Sequence, residues 1–281
     1  MICPSWMKNC VSMGYTNIAL IIISTILMLS IVFSAIAMLF KLKNVQKTLT
    51  KTDLKRQLSI SFFLIMSAVL RTGFWFFDLY VFRPNSAPYV STLVLNRLSI
   101  LCLYQSQSIF VKCWLLDYVR YSISKTQRRI NYVFVAIDSF ITFIMLTSVL
   151  FAFFDYSYGA FSYMAQYIIV FSSFITSSSF IIIGTIVTKN VTTHFDCCSA
   201  QVQKFIFTAS LLVTAALCRC ITFIVQTESH LSENLISVFC YVVPEVIPAV
   251  VILISQFQMF KYERRVEEHM ETKALLETDE Y

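Results

Sequence analysis

One carboxylate lies inside a long apolar stretch, and it is the side chain best placed to do chemistry in this chain. Residues 235–260 contain Glu245 as their single formal charge, between Pro244 and Pro248. A charged side chain at the centre of a bilayer costs at least about 2.5 kcal/mol to insert. Glu245 is therefore expected to face other helices and to have a positively charged partner. The two prolines are expected to kink the helix that carries it.

Two arginines share the predicted depth of Glu245. Arg71, Arg219 and Glu245 each lie about 14–15 residues from the same side of their apolar stretches, which is roughly 21–22 Å at the rise of an α-helix. We therefore predict an intramembrane cluster of these three residues. Such a cluster can act as a polar ligand site or conformational switch, or it can be a structural ion network that sets how the helices pack.

Residue types that carry out catalysis or bind metals are not grouped in a recognisable pattern. The sequence has no H-E-x-x-H, no G-x-S-x-G and no Gly-rich phosphate loop, and its 3 histidines lie outside the apolar stretches. Cys218 and Cys220 lie on an apolar stretch, where cysteine behaves as a small hydrophobe. We therefore predict no catalytic residue, no metal site and no cofactor.

Seven apolar stretches are the elements that must position these charges. Hydrophobic residues make up 57% of the 281 residues and charged residues only 14%, unlike an ordinary soluble domain. We predict an all-α integral membrane protein with a seven-transmembrane-helix bundle. Its predicted spans, one to seven, are residues 17–40, 57–82, 92–116, 130–154, 161–188, 205–226 and 235–260.

The basic residues set the predicted orientation. Sixteen of the 22 Lys and Arg flank the spans on one side, two on the other, and four lie within spans. Because Lys and Arg concentrate on the cytosolic side, residues 1–16 are predicted outside or in a lumen, and residues 261–281 form a cytosolic tail after a bundle of residues 17–260. The net charge of +6 then reflects topology and not nucleic-acid binding.

Four further charges lie within the predicted spans. Of these, Lys112 is near the inner end of span three, where its side chain can extend to the interface. Arg97 and Asp78 are close to the outer ends of their spans, and we expect solvent to reach them. Asp138 lies inside span four and has no obvious partner in the sequence.

Two short motifs lie on the predicted cytosolic side. Cys197 and Cys198 are adjacent and close to a span, which is typical of S-palmitoylation sites, with ordinary free thiols as the alternative. In the tail, Glu271, Leu275 and Leu276 fit E-x-x-x-L-L, which looks like an acidic dileucine sorting signal. The alternative is a fraying helix, because this run also favours helix.

Three short stretches resemble the tobamovirus multiplication protein family of seven-helix membrane proteins. They are AVLRTGFWF at 68–76, LCRCIT at 217–222 and VPEVIPAVVIL at 243–253. The family pattern has an Arg in each of the first two, and in the third a Glu followed three residues later by Pro. The residues that match it are Arg71, Arg219, Glu245 and Pro248. Pro244 departs from the pattern.

The resemblance implies a non-enzymatic scaffold or regulator in endolysosomal or vacuolar membranes. Such a protein would recruit cytosolic regulatory or trafficking proteins, such as small GTPases, through its basic loops and tail. The alternative is a ligand receptor coupled to G proteins, although residues 117–120 read DYVR in place of D-R-Y, and span seven has no N-P-x-x-Y. A transporter is a third hypothesis, disfavoured because the spans show no internal repeat.

Overall fold

The chain is helical wherever the structure describes it. The computed structural model describes residues 15–44, 51–80, 90–119, 124–154, 168, 175, 178, 207–208, 210–218, 220–221 and 242–257. Four long helices are α1 (Tyr15–Asn44), α2 (Lys51–Tyr80), α3 (Val90–Val119) and α4 (Ser124–Phe154). Two shorter segments follow, α5 at 210–218 and α6 at Val243–Phe257.

These helices fall where the sequence predicts spans. Helices α1 to α4 coincide with predicted spans one to four, α5 lies in span six, and α6 lies in span seven. Only residues 168, 175 and 178 of span five are described, and all three are helical. The all-helical class is therefore confirmed for the described residues.

The long helices extend beyond the predicted spans. Helices α1, α2 and α3 have 30 residues and α4 has 31, so each is about 45 Å long. The hydrocarbon core of a bilayer is only about 30 Å thick. The basic segment 41–56 between predicted spans one and two is therefore helical at both of its ends, since α1 continues to Asn44 and α2 begins at Lys51. Helix hydrogen bonds are internal and Lys, Arg and Gln favour helix, so a helix continues past its apolar run.

Two described helices are long and apolar enough to cross a membrane. They are Ile21–Leu42 in α1 and Asp53–Phe76 in α2. Only 39% and 44% of the most apolar 18-residue stretch of these two helices is buried, so more than half of each stretch is not covered by other parts of the protein. The exposed sides are apolar as well, since Phe33 and Phe40 on α1 are 69% and 68% exposed and Phe62 on α2 is 56% exposed.

One face of each helix forms the core. On α1 the buried positions recur every three or four residues, which is the spacing of one helix face. The main cluster joins α1, α2, α3, α5 and α6, and its most buried members are Ala35, Leu42, Ile60, Leu64, Leu212 and Ile252. A second cluster joins α3 to α4 through Ile100, Leu101, Tyr104, Ile141 and Met145.

Helices α2 and α3 are linked by serine hydroxyls. Ser67 Oγ donates to the backbone carbonyl of Ser99 at 2.9 Å, and Ser99 Oγ donates back to the carbonyl of Ser67 at 3.0 Å. Ser106 Oγ on α3 also donates to the backbone carbonyl of Ile60 on α2, at 3.3 Å. An earlier residue of α2 is therefore paired with a later residue of α3, so the two helices are antiparallel. Small hydroxyl side chains allow this close approach of the two backbones.

Candidate functional site

A buried ion pair joins α2 to α6. Arg71 and Glu245 are 0% and 2% exposed. Arg71 Nε donates to Glu245 Oε2 at 2.6 Å, and Arg71 Nη2 donates to Glu245 Oε1. This is the two-point geometry in which a guanidinium binds a carboxylate most strongly. It agrees with the expectation, from their common depth, that Glu245 pairs with an arginine.

Asn96 completes the coordination of the guanidinium. Arg71 Nη1 donates to Asn96 Oδ1 at 2.7 Å. The guanidinium carbon also lies 5.0 Å from the ring centroid of Phe74, within the range of a cation–π contact. All three nitrogens of Arg71 therefore have partners, and the group joins three helices, α2, α3 and α6. Asn96 is one of several polar residues of span three, which are expected to face other helices, but their spacing does not predict that Asn96 binds Arg71.

The third predicted member of this cluster is Arg219, and Arg97 and Asp78 are the two charges predicted near the outer ends of their spans. Arg219 lies outside the described residues, although its neighbours Cys218, at the end of α5, and Cys220 are both helical. Arg97 is 5% exposed, so the expectation that solvent reaches it is wrong. Its depth was estimated from the sequence, but the rotation of α3, which turns Arg97 into the protein, was not. The side chain of Asp78 lies outside the described residues.

A second polar contact joins α2 to α6 toward the opposite end of the bundle. Gln256 Nε2 donates to Gln57 Oε1 at 2.8 Å, and both side chains are buried. Nearby on α1, Lys41 Nζ lies 4.3 Å from the ring centroid of Phe257. Glu245 and Gln256 are eleven positions apart on α6, so the two polar contacts lie about 16 Å apart along the helix. The α2–α6 interface is therefore fixed by hydrogen bonds at two levels.

The two prolines of α6 lie on either side of Glu245, and both are buried. Val242, just before Pro244, is π-helical, and the α-helix then runs unbroken through Pro248 to Phe257. π-Helical turns and prolines both interrupt the regular hydrogen-bond ladder of a helix. The backbone next to Glu245 is therefore irregular on one side, while the predicted kink stays a prediction.

Asp138 on α4 has partners that sequence reasoning missed. Tyr104 and Ser108 on α3 donate to its Oδ1 at 3.2 and 2.5 Å. One turn along α4, Thr142 accepts a hydrogen bond from Gln105 at 2.6 Å. These residues form a polar seam between α3 and α4. The signal was the unusual polarity of span three, but the spacing alone does not say which neighbouring helix its polar side chains meet.

Several predicted site residues lie outside the described residues. They are Cys197, Cys198, Glu271, Leu275 and Leu276. Their suggested roles in palmitoylation and sorting stay predictions. Among the residues that the structure does describe, no three His, Cys, Asp or Glu side chains are placed to hold a metal ion.

No family model, no curated protein and no solved structure matches this chain. The resemblance to the tobamovirus multiplication protein family therefore stays a prediction. The geometry itself describes a polar centre, formed by Arg71, Glu245 and Asn96, whose groups bind one another. Such an arrangement holds helices in a fixed register, because each charged group is neutralised and hydrogen-bonded where it lies.

Proposed function

We propose that this chain is a seven-helix integral membrane protein that acts as a non-enzymatic scaffold or regulator. In this proposal its N-terminus lies outside or in a lumen, and its C-terminal tail lies in the cytosol. Its site of action is an endolysosomal or vacuolar membrane, where it recruits cytosolic regulatory or trafficking proteins. The resemblance described for Arg71, Arg219, Glu245 and Pro248 suggests the compartment and the role.

The apolar outer faces of the helices support insertion into a bilayer. A helix at the surface of a soluble protein presents polar residues to water. Here the exposed side chains of α1 and α2 are largely apolar, and α4 continues this pattern with Phe140 and Phe143 at 58% and 69% exposure. A continuous apolar surface of this kind is stable in lipid and prone to aggregate in water.

The ion pair between Arg71 and Glu245 is the observation that favours a scaffold, because its hydrogen-bonding groups already bind one another or Asn96. Every nitrogen of Arg71 donates to Glu245 or Asn96, and both oxygens of Glu245 accept from Arg71. A ligand at this centre would first have to break a buried, two-point ion pair. The pair is therefore better suited to fixing α2, α3 and α6 relative to one another, so that the ends of the helices present a constant surface to cytosolic partners.

The test is proximity labelling from a biotin ligase fused to the C-terminus in cells that express the chain. We expect biotin on cytosolic trafficking proteins and on endolysosomal membrane proteins, without any added ligand. The matched control is the same fusion on a chain cut after residue 260, which keeps all seven predicted spans and lacks the predicted tail. Loss of the cytosolic partners from the cut chain would place recruitment in the tail.

A receptor coupled to G proteins gives a different result. If this chain promoted nucleotide exchange on a G protein in response to a ligand, the chain would be a receptor and the scaffold proposal would be wrong. Labelling restricted to plasma-membrane proteins would contradict the endolysosomal location. Full release of the chain by alkaline carbonate would contradict membrane insertion altogether.

A further inference from the structure

The end of the bundle at which α1 finishes and α2 begins is strongly basic. Residues 41–56 contain six Lys or Arg and one acidic residue, Asp53. Lys41 and Lys55 are exposed. Arg56 Nη1 lies 3.0 Å from Asp53 Oδ1, so these two opposite charges balance each other. The net positive charge of this end therefore comes from the lysines.

Contacts between helices place the two exposed lysines at one level. Lys41 on α1 lies over the ring of Phe257 on α6. The neighbouring residue, Gln256, binds Gln57 on α2. Lys55 is two positions from Gln57, about 3 Å along the helix axis. The backbone positions of Lys41 and Lys55 thus lie at a similar level at this end of the bundle.

This level is where an apolar surface meets a basic one. Phe257 is 47% exposed; Phe40, adjacent to Lys41, is 68% exposed, and Leu58, three positions after Lys55, is 42% exposed. Lys and Arg concentrate close to the cytosolic ends of transmembrane helices, which is the level of the lipid headgroups. Lysine can keep its methylene stem along the apolar surface and present its ammonium group to a phosphate.

We propose that this basic end, defined by Lys41 and Lys55, binds the headgroups of anionic phospholipids. The proposal rests on membrane insertion, as proposed above. Headgroup phosphates and carboxylates supply the negative charge that the bundle end lacks, and acyl chains cover the apolar faces beside it. Lysines close to an anionic membrane surface each contribute to this attraction. Lys41 is held in place by Phe257, so less side-chain freedom is lost when it binds.

The experiment uses the full chain reconstituted in phosphatidylcholine vesicles that contain brominated phospholipids. Bromine on an acyl chain quenches only nearby tryptophan. The reporter is therefore Trp114, at the end of α3 that lies beside the start of α2, in a chain whose Trp6 and Trp75 are changed to Phe, and its quenching reports which lipids lie near the basic end. We expect brominated phosphatidylserine to displace phosphatidylcholine more readily than brominated phosphatidylcholine does. Changing Lys41 and Lys55 to Gln should reduce this preference, by up to about fivefold for each lysine.

Two matched variants show whether the preference belongs to these two lysines. Lys41→Arg keeps the charge and the contact with Phe257, so it should keep the preference. Arg128→Gln removes an exposed basic residue at the start of α4, at the same end of the bundle but outside the proposed site, and it should lower the preference less than the change of both lysines does. A preference that survives the change of both lysines, or that Arg128→Gln lowers equally, would overturn the proposed site.

Two further controls separate the sources of failure. Soluble glycerophosphoserine carries the same headgroup without acyl chains, and it should not displace the brominated lipid at matched concentration. If it does, the site recognises a free phosphate and the lipid proposal is wrong. Alkaline extraction of the same vesicles reports insertion separately, so a chain that stays inserted but shows no lipid preference refutes only this inference.

Discussion

Replacing Glu245 by Gln should destabilise the bundle. Gln keeps the size of the side chain but removes its charge, so the fully buried guanidinium of Arg71 loses its counter-charge. Removing one partner of a buried ion pair typically costs about 3–5 kcal/mol. Asn96 still accepts one hydrogen bond from Arg71, so we expect a loss of about 3–4 kcal/mol, toward the lower end of that range.

Asp53→Asn is the matched control, because it makes the same chemical change in an ion pair that is partly exposed to solvent. Asp53 pairs with Arg56 within one turn of α2, and the two side chains are 33% and 30% exposed. Water screens such a pair, and its contribution is about 0–1 kcal/mol. The comparison therefore isolates the effect of burial, because both variants remove one negative charge from a carboxylate that faces an arginine.

Thermal unfolding in detergent can be followed through the buried thiols. Cys113 and Cys220 are buried thiols, so they become reactive toward a thiol-sensitive dye when heating unfolds the protein, once accessible thiols have been blocked. A loss of 1 kcal/mol shifts the midpoint by about 2–4 °C in a chain of comparable size. Glu245→Gln should then lower the midpoint by roughly 6–16 °C, and Asp53→Asn by no more than about 4 °C.

A double-mutant cycle shows whether the loss of stability comes from a direct interaction between Arg71 and Glu245. Arg71→Gln combined with Glu245→Gln removes both charges, so the double variant should lose less stability than the sum of the two single variants. Strict additivity would refute a direct interaction between the two side chains. If Glu245→Gln lowered the midpoint of thermal unfolding no more than Asp53→Asn does, the claim that the buried charge of Arg71 needs Glu245 would be wrong.

Three further predictions concern topology and the cytosolic segments. A tag at the C-terminus should be digested by protease added outside intact endolysosomal vesicles; a tag protected until detergent is added would reverse the orientation. Changing Cys197 and Cys198 to Ser should remove a hydroxylamine-sensitive acyl label, and a wild-type chain without that label, next to a labelled control protein, excludes palmitoylation. Changing Leu275 and Leu276 to Ala should shift the chain toward the plasma membrane; an unchanged distribution means that the tail does not sort it.

The positions of the helices could be predicted because length and apolarity determine them. A run of about 20 apolar residues is long enough to cross a bilayer, and such runs locate α1 to α4 and α6. Depth along each helix follows from counting residues, and this count brought Arg71 and Glu245 to one level. The ends of the helices could not be predicted in the same way, because the helix continues into polar sequence beyond Phe40 and before Gln57.

The rotation of each helix was beyond prediction. On a soluble helix the polar stripe shows which face is outside, but on α1 both faces are apolar, so the pattern carries no such information. The partnership of Asn96 with Arg71 and that of Asp138 with Tyr104 depend on rotation, and both were missed. The same reason explains why Arg97 was expected in solvent although α3 turns it into the protein.

The distance along the chain between Arg71 and Glu245 has a consequence for biosynthesis. The two residues are 174 positions apart, so a ribosome that adds about 5–20 residues per second makes Glu245 roughly 9–35 s after Arg71. Asn96 follows Arg71 by only 25 positions, so this hydrogen-bond partner is made well before Glu245. During that interval the nascent chain has an arginine in α2 whose counter-charge does not yet exist. Chains released before residue 245 would lack this counter-charge, so the cost of a buried, uncompensated arginine would fall on every incomplete chain.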